Sequence, residues 1–143
     1  MSTIRNMRES DRPCVMAMMR EFYASPAVFS NGSDTIFTAD IDNCIGDNPY
    51  IEGYVIEDNG IQGYAMIAKS YSTEFGKTCI WIEDLYIRTD HRGRGLGKQL
   101  LTFIFNQYTD CIFRLEVEEE NERAVRLYEA SGVTVLPYME MKK

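Results

Sequence analysis

The chain contains a single histidine among its 143 residues, and its four cysteines are scattered. Cys14, Cys44, Cys79 and Cys111 form no Cys-x-x-Cys pair. Zinc sites are built from closely spaced cysteine and histidine ligands, so the sequence offers no zinc set. We therefore expect no metal cofactor, and we interpret the cysteines as buried thiols in a reducing cytosol.

Long apolar runs and an excess of positive charge are also lacking. No stretch approaches the roughly 20 apolar residues of a membrane span, and the charges from Arg5 to Asp11 are unlike a secretory signal. Lys and Arg total 15 against 22 Asp and Glu, which gives a formal net charge of −7. Broad nucleic-acid binding needs a basic surface, so this balance argues against it. We expect a cytoplasmic protein with neither a membrane nor a nucleic-acid partner.

The chain does have enough apolar content, at 45% of residues, for one domain with a core. We predict a single domain over residues 1–143. Ser10 or Asp11 can cap a first helix with an apolar stripe from Val15 to Phe22, and a second helix is predicted over 35–45. Asn59-Gly60 predicts a hairpin. Strands are predicted at 3–7, 50–57, 61–68, 79–87, 111–117, 133–135 and 138–142.

The segment Arg92–Gly97 reads Arg-Gly-Arg-Gly-Leu-Gly and stands between a predicted strand and a predicted helix. The first N–H groups of a helix lack intrahelical partners, and glycines let an anion approach them closely. The glycine spacing does not fit the dinucleotide pattern G-x-G-x-x-G, and Gln99 replaces the hydroxyl residue of a P-loop. The segment therefore predicts a phosphate site of another kind.

Two patterns in the second half of the chain carry a family resemblance. Arg92, Gly95 and Gly97 fit Arg/Gln-x-x-Gly-x-Gly/Ala, which closely resembles the acetyl-CoA pyrophosphate loop of the GCN5-related N-acetyltransferase (GNAT) family. The family's Asn-x-x-Ala-x-x-x-Tyr-x-x-x-Gly pattern is matched at Asn121, Ala124, Tyr128 and Gly132. The resemblance implies an α/β fold in which a mixed, mostly antiparallel twisted sheet of six to seven strands is flanked by about four helices.

The resemblance also implies a cofactor site for acetyl-CoA as co-substrate. The pyrophosphate would lie against the backbone of the loop, at Arg92, Gly93, Arg94, Gly95, Leu96, Gly97 and Lys98. The pantetheine arm would pair like an added strand with the backbone of Leu85, Tyr86 and Ile87. Asn121 would contact the same arm, and an N-cap role is its structural alternative.

Acetyl transfer to an amine requires a proton acceptor, because an ammonium group has no lone pair for attack. The run around Glu83 is similar to diamine acetyltransferases, which implies Glu83 as the base and Asp84 as a contact to the substrate ammonium. Strict alternation would send the two acids to opposite faces, and a β-bulge would change this. The second motif implies that Tyr128 protonates the leaving thiolate, and the alternative is a core tyrosine.

The acceptor is the least defined part of the prediction. Aromatic residues that could line its cleft are Phe22, Tyr23, Phe29, Tyr71 and Tyr138, and each could equally be a core residue. A small amine, a polyamine, an aminoglycoside and a peptide amine all stay open. We predict an N-acetyltransferase that works by direct attack on acetyl-CoA. The alternatives left open are a non-catalytic acyl-CoA-binding module and, for assembly, a homodimer.

Overall fold

The computed structural model of the chain describes residues 2–143, which form one mixed sheet with helices on both faces. The five strands are β1 Thr3–Asn6, β2 Ile51–Glu57, β3 Ile61–Ser72, β4 Lys77–Ile87 and β5 Ile112–Leu115. They are ordered β1-β2-β3-β4-β5, with antiparallel neighbours except for the parallel pair β4 and β5. The helices are α1 Arg12–Tyr23, α2 Asp34–Ile45, α3 Leu96–Gln107 and α4 Glu122–Ala130.

Strand alternation divides the core into two clusters, one on each face of the sheet. In β3, Ala65 and Ile67 pack on the side of α3 and Tyr128, whereas Tyr64 and Met66 pack on the side of α1 and α2. The predicted stripe of α1 is buried, with Val15, Met18 and Met19 all fully inaccessible. No helix in residues 2–143 is long and apolar enough to cross a membrane.

The predicted hairpin is present between β2 and β3. Asn59 and Gly60 take positive φ values of 58° and 105°, and the Asp58 N–H donates to the Gly60 carbonyl at 2.8 Å. Positive φ at both positions is what Asn-Gly tolerates better than other pairs, so the local sequence explains the turn.

The sheet has five strands rather than the predicted six or seven. Residues 133–135 and 138–142 form no strand, and β5 ends at Leu115 instead of residue 117. Period-two alternation needs a surface against which one face can be buried. Met139 and Met141 are 85% and 84% exposed, so the alternation in this segment buries neither face, and Pro137 interrupts it.

Candidate active site

Strands β4 and β5 are paired over only a few residues and then separate. Their parallel ladder runs from Cys79 opposite Ile112 to Ile82 opposite Leu115. Farther along β4, the Arg88 N–H donates to the Gln62 carbonyl of β3 at 2.8 Å. Because successive residues of a strand point their backbone groups to alternate edges, Leu85 and Ile87 point theirs away from β3. Apart from the Ile87 carbonyl, which accepts from Arg92 Nε, the polar groups of both residues therefore lie unpaired at the opening between the strands.

A cavity of about 600 Å³ occupies this opening. It lies between the end of β4, the first turn of α3, one side of α4 and the segment that follows α1. Its lining includes most of the predicted cofactor residues, which are Leu85, Tyr86, Ile87, Arg92, Gly93, Gly95, Leu96, Gly97, Lys98 and Asn121, together with Tyr128. The structure thus brings together residues that the two sequence motifs supplied separately. Arg94 is exposed and is not part of the lining.

The glycine loop has the conformation that its sequence predicts for an anion site. Gly93 and Gly95 have φ values of 81° and 80°, a region that side-chain-bearing residues rarely adopt. Gly95 precedes α3, and the first turn of this helix holds no acidic residue. A Cβ at Gly97 would lie 3.4 Å from Leu127 Cδ2, an ordinary contact distance, so α3 and α4 pack against each other at this position. The loop leaves the N–H groups of the first turn of α3 facing the cavity, and no carboxylate of that turn competes for them, although Glu120 also lines the cavity.

The Arg92 side chain is bound to the strand that precedes the loop. Its Nε donates to the Ile87 carbonyl at 2.9 Å, and its guanidinium lies 5.3 Å from the centre of the Tyr86 ring. The Tyr86 hydroxyl in turn donates to Glu21 of α1 at 2.8 Å. These contacts hold the start of the loop against β4. Sequence reasoning missed Glu21, because a contact between α1 and β4 has no local signal.

The two residues of the second motif differ in what surrounds them. Asn121 Oδ1 accepts the Ala124 N–H at 3.4 Å, so Asn121 does act as the N-cap of α4 while it also lines the cavity. Tyr128 is 9% exposed, and its hydroxyl has no hydrogen-bond partner among residues 2–143. Burial, with the charge of Asp84, raises the pKa of Tyr128 to about 12. The phenol therefore stays protonated at neutral pH and faces the cavity as a free donor.

A β-bulge in β4 brings the two predicted acids to one side of the sheet. Met66 of β3 lies opposite Asp84 and Ile67 lies opposite Ile82, so Glu83 is the extra residue. Strict alternation is therefore broken at Glu83. Glu83 is exposed, and Asp84 is 4% exposed.

Asp84 accepts hydrogen bonds from two tyrosines. The Tyr23 hydroxyl donates to Oδ1 at 2.9 Å and the Tyr64 hydroxyl donates to Oδ2 at 2.7 Å. Burial, together with the charges of Asp40 and Glu83, raises the pKa of Asp84 from 3.8 to about 6 against the opposing effect of these two bonds. Tyr23 was among the predicted cleft aromatics, whereas Tyr64 was missed because a tyrosine within an apolar strand is typical of a core.

Further carboxyl groups surround Glu83. Partial burial raises the pKa of Glu83, and so do the charges of Glu140 and Asp40. Contact with Glu140 raises the pKa of Glu116 to about 7. Within residues 2–143, none of these four carboxyl groups forms an ion pair with Lys or Arg. In the same part of the chain, no group of three or more His, Cys, Asp or Glu residues is arranged to hold a metal ion.

None of the three predicted substrate contacts, Asp84, Phe29 and Tyr138, lines the cavity, and the predicted base Glu83 does not line it either. Phe29 is 93% exposed, and Tyr138 is 59% exposed with its hydroxyl directed to Glu74. Two arginines of α4, Arg123 and Arg126, do line the cavity although sequence reasoning passed over them. Arg123 and Leu127 are four residues apart on α4, so they lie on the same face of this helix, and both line the cavity. This helical spacing was the signal in the sequence that could have identified Arg123.

Comparison with known proteins agrees with this geometry. The family model described as "Acetyltransferase (GNAT) family" matches residues 15–133. The chain is 29% identical over 151 aligned residues to a thialysine N-epsilon-acetyltransferase of Sus scrofa, with 96% of this chain and 86% of that protein covered. It is 27% identical over 146 residues to the L-amino acid N-acyltransferase MnaT of Escherichia coli (strain K12), with 96% and 82% covered.

A solved structure with the same fold carries coenzyme A. Aminoglycoside N-acetyltransferase AAC(6')-Iy in complex with CoA superposes with a TM-score of 0.81 at 14% identity, over 100% of this chain and 94% of that one. At this identity the likeness concerns the fold.

The raised pKa of the buried Asp84 predicts that the stability of the fold depends on pH. Its pKa of about 6 in the folded chain lies above the ordinary 3.8, so its contribution to folding is largest below about pH 4 and is lost as the pH rises through about 6. Asp84→Asn removes this titration. We expect the free energy of unfolding of the variant, relative to the wild type, to increase by about 2 kcal/mol between pH 4 and pH 7. Urea denaturation at several pH values measures it, and a difference that does not change with pH would contradict the raised pKa.

Proposed function

The chain belongs to the GNAT acetyltransferase family and is an N-acetyltransferase, and from this premise we propose that it transfers the acetyl group of acetyl-CoA to a small cationic amine by direct attack. The observation that carries the proposal is the single cavity that joins the free edge of β4, the glycine loop and the unpartnered Tyr128 hydroxyl. A thioester donor needs each of these three features. Direct attack is favoured because neither motif places a cysteine beside the lone histidine.

The donor half of the cavity fits acetyl-CoA. Members of the GNAT family use acetyl-CoA, which supplies the activated acetyl thioester. The N–H groups at the start of α3 suit its pyrophosphate, and the outward backbone groups of Leu85 and Ile87 suit the amides of its pantetheine arm. The Ile87 carbonyl already accepts from Arg92, and a carbonyl oxygen has two lone pairs, so it can accept a second bond.

We assign Glu83 as the group that accepts the proton of the acceptor ammonium, directly or through one water. Its position on the bulge keeps it exposed, and its raised pKa brings its basicity closer to that of a neutral-pH base. Asp84 is buried and holds two tyrosine hydroxyls, so a substrate ammonium would have to replace one of them to bind it directly. We therefore assign Asp84 to the support of Tyr23 and Tyr64 at the cleft.

We assign Tyr128 as the donor to the leaving sulfur. Its pKa of about 12 keeps the phenol protonated while negative charge develops on the thiolate. The hydroxyl is oriented by its burial among the α4 and β4 side chains rather than by another protein hydrogen bond. A donor that is free before the reaction can give its hydrogen bond to the sulfur without losing another one.

The acceptor half of the site favours a cation. Glu83, Glu116, Glu140 and Asp40 lack basic partners in the described part of the chain, and their mutual repulsion is one reason for the raised pKa values of Glu83 and Glu116. A substrate with a second positive charge would relieve it. The names of the similar proteins, thialysine acetyltransferase and L-amino acid acyltransferase, agree with an amino acid or diamine of modest size.

A panel of amines tests the proposal. Release of free coenzyme A thiol is followed with acetyl-CoA and thialysine, lysine, ornithine, an alkyl diamine, the matching monoamine, an aminoglycoside and a lysine peptide. We expect turnover with the small amines that carry a second positive charge, and a kcat/KM at least about tenfold lower with the matching monoamine. Coenzyme A binding without thiol release from any amine would instead indicate a binding module.

The base assignment predicts a change in the pH dependence. Glu83→Gln should lower kcat/KM by about 10²-fold or more at neutral pH, and less where the free amine already predominates. Glu140→Gln removes a charge that raises the pKa of Glu83, so the acidic limb of the profile should move to lower pH. Glu129→Gln, on the exposed side of α4, is the control and should leave the limb in place. An unchanged profile in Glu83→Gln would contradict the base role.

The acid assignment predicts a loss of turnover without a loss of donor binding. Tyr128→Phe should lower kcat by about 10²-fold or more, while the dissociation constant of coenzyme A stays within about twofold. Tyr54→Phe is the matched control, because Tyr54 of β2 is a buried tyrosine of the same core cluster that lies away from the cavity. Full activity in Tyr128→Phe, or equal losses in both variants, would remove Tyr128 from the mechanism.

A further inference from the structure

The cavity is lined by more basic residues than the pyrophosphate loop accounts for. His91, Arg92 and Lys98 belong to the loop region and the start of α3, whereas Arg123 and Arg126 belong to α4. The chain as a whole carries a net charge of −7, so two adjacent arginines at one cavity are a local departure from its charge balance. Neither arginine is required by the pantetheine edge or by the helix terminus described above.

The α4 arginines are placed beside the loop by the packing of α4 on α3. Gly97, at the first turn of α3, approaches Leu127 of α4 closely enough that a Cβ would meet it at 3.4 Å. Arg123 and Arg126 lie one helical turn apart in the chain just before Leu127, and the N-cap bond from Asn121 fixes this first turn. A ligand phosphate held by the loop therefore has the two guanidinium groups within the same cavity.

Both side chains are available to a ligand. Arg126 makes one contact with a carboxylate, to Glu122 at 3.8 Å, and the side chains of Arg126 and Glu122 are 71% and 80% exposed. Such an exposed pair contributes little and is easily exchanged. Arg123 forms no ion pair with the residues that the structure describes. Arg92, by contrast, is already held by Ile87 and Tyr86.

We propose that Arg123 and Arg126 bind the 3′-phosphate of the ribose of coenzyme A. This inference rests on the proposed use of acetyl-CoA and adds a second phosphate site to it. The 3′-phosphate is a monoester that carries close to two negative charges, and it is joined through one ribose to the pyrophosphate at the loop. Guanidinium groups match the oxygens of a phosphate in a two-pronged geometry and stay charged at every relevant pH. The arginine pair thus distinguishes coenzyme A from the same molecule without the 3′-phosphate.

Titration calorimetry with coenzyme A and with 3′-dephospho-coenzyme A tests this assignment without reliance on turnover. We expect the wild-type protein to bind coenzyme A at least about tenfold more tightly than the dephospho form. In the double variant Arg123→Gln/Arg126→Gln, the affinity for coenzyme A should fall to that for the dephospho form, which itself should change by no more than about twofold. Circular dichroism at each titration temperature establishes that the variant is folded.

Two further proteins separate a specific contact from a general effect of charge. Lys77→Gln removes one positive charge at the start of β4, about 30 Å of strand away from the loop, and should leave both affinities unchanged. Arg123→Lys/Arg126→Lys keeps the charge but loses the two-pronged geometry, so it should retain only part of the discrimination.

Each other outcome counts against the inference in a recognisable way. Equal wild-type affinities for the two ligands would overturn it alone, and this measurement needs no variant. Parallel losses for both ligands in the double variant would show that the arginines act on the cavity or on the pyrophosphate instead. Failure of the wild-type protein to bind either ligand would overturn the donor assignment itself.

Discussion

The site depends on one topological constraint, the separation of β5 from β4 after Ile82 and Leu115. An interior strand normally has both edges paired, and an unpaired interior edge costs free energy unless water or a ligand satisfies it. Here the gap falls where β4 leads into the glycine loop, so the unpaired strand edge and the unpaired helix N–H groups open into one cavity. Two sets of backbone groups that folding leaves unsatisfied thus form the site that we propose for the donor.

The two sides of this site differ in the sign of the charges that predominate there. Basic residues of the loop, α3 and α4 line the cavity with one carboxylate, Glu120, whereas carboxyl groups from α2 and from the segments after β5 and α4 surround Glu83. Tyr128 stands where these regions meet, because it lines the cavity and its pKa responds to Asp84. An anionic donor and a cationic acceptor would therefore be drawn to opposite sides of the tyrosine. Fields of this kind also steer charged ligands towards their sites.

Local sequence signals were sufficient for the parts of the fold that local physics decides. The Asn59-Gly60 turn, the buried stripe of α1 and the glycine loop depend on nearby residues, and the structure contains all three. The missing C-terminal strands depend on a partner surface, which alternation cannot supply. Contacts such as Tyr64 with Asp84, and Glu21 with Tyr86, join distant parts of the chain. They follow only from the three-dimensional arrangement.

The bulge at Glu83 explains how one strand serves both the core and the chemistry. Before it, Ile80 and Ile82 face the cluster formed with α3; after it, Leu85 and Ile87 face the same cluster. Continued alternation from Ile82 would turn Asp84 into that apolar cluster, where an unpaired carboxylate costs several kcal/mol. The extra residue places Asp84 with its two tyrosines on the other face instead. A single inserted position therefore keeps the apolar face continuous and places Asp84 on the opposite face of the sheet, beside Tyr23 and Tyr64.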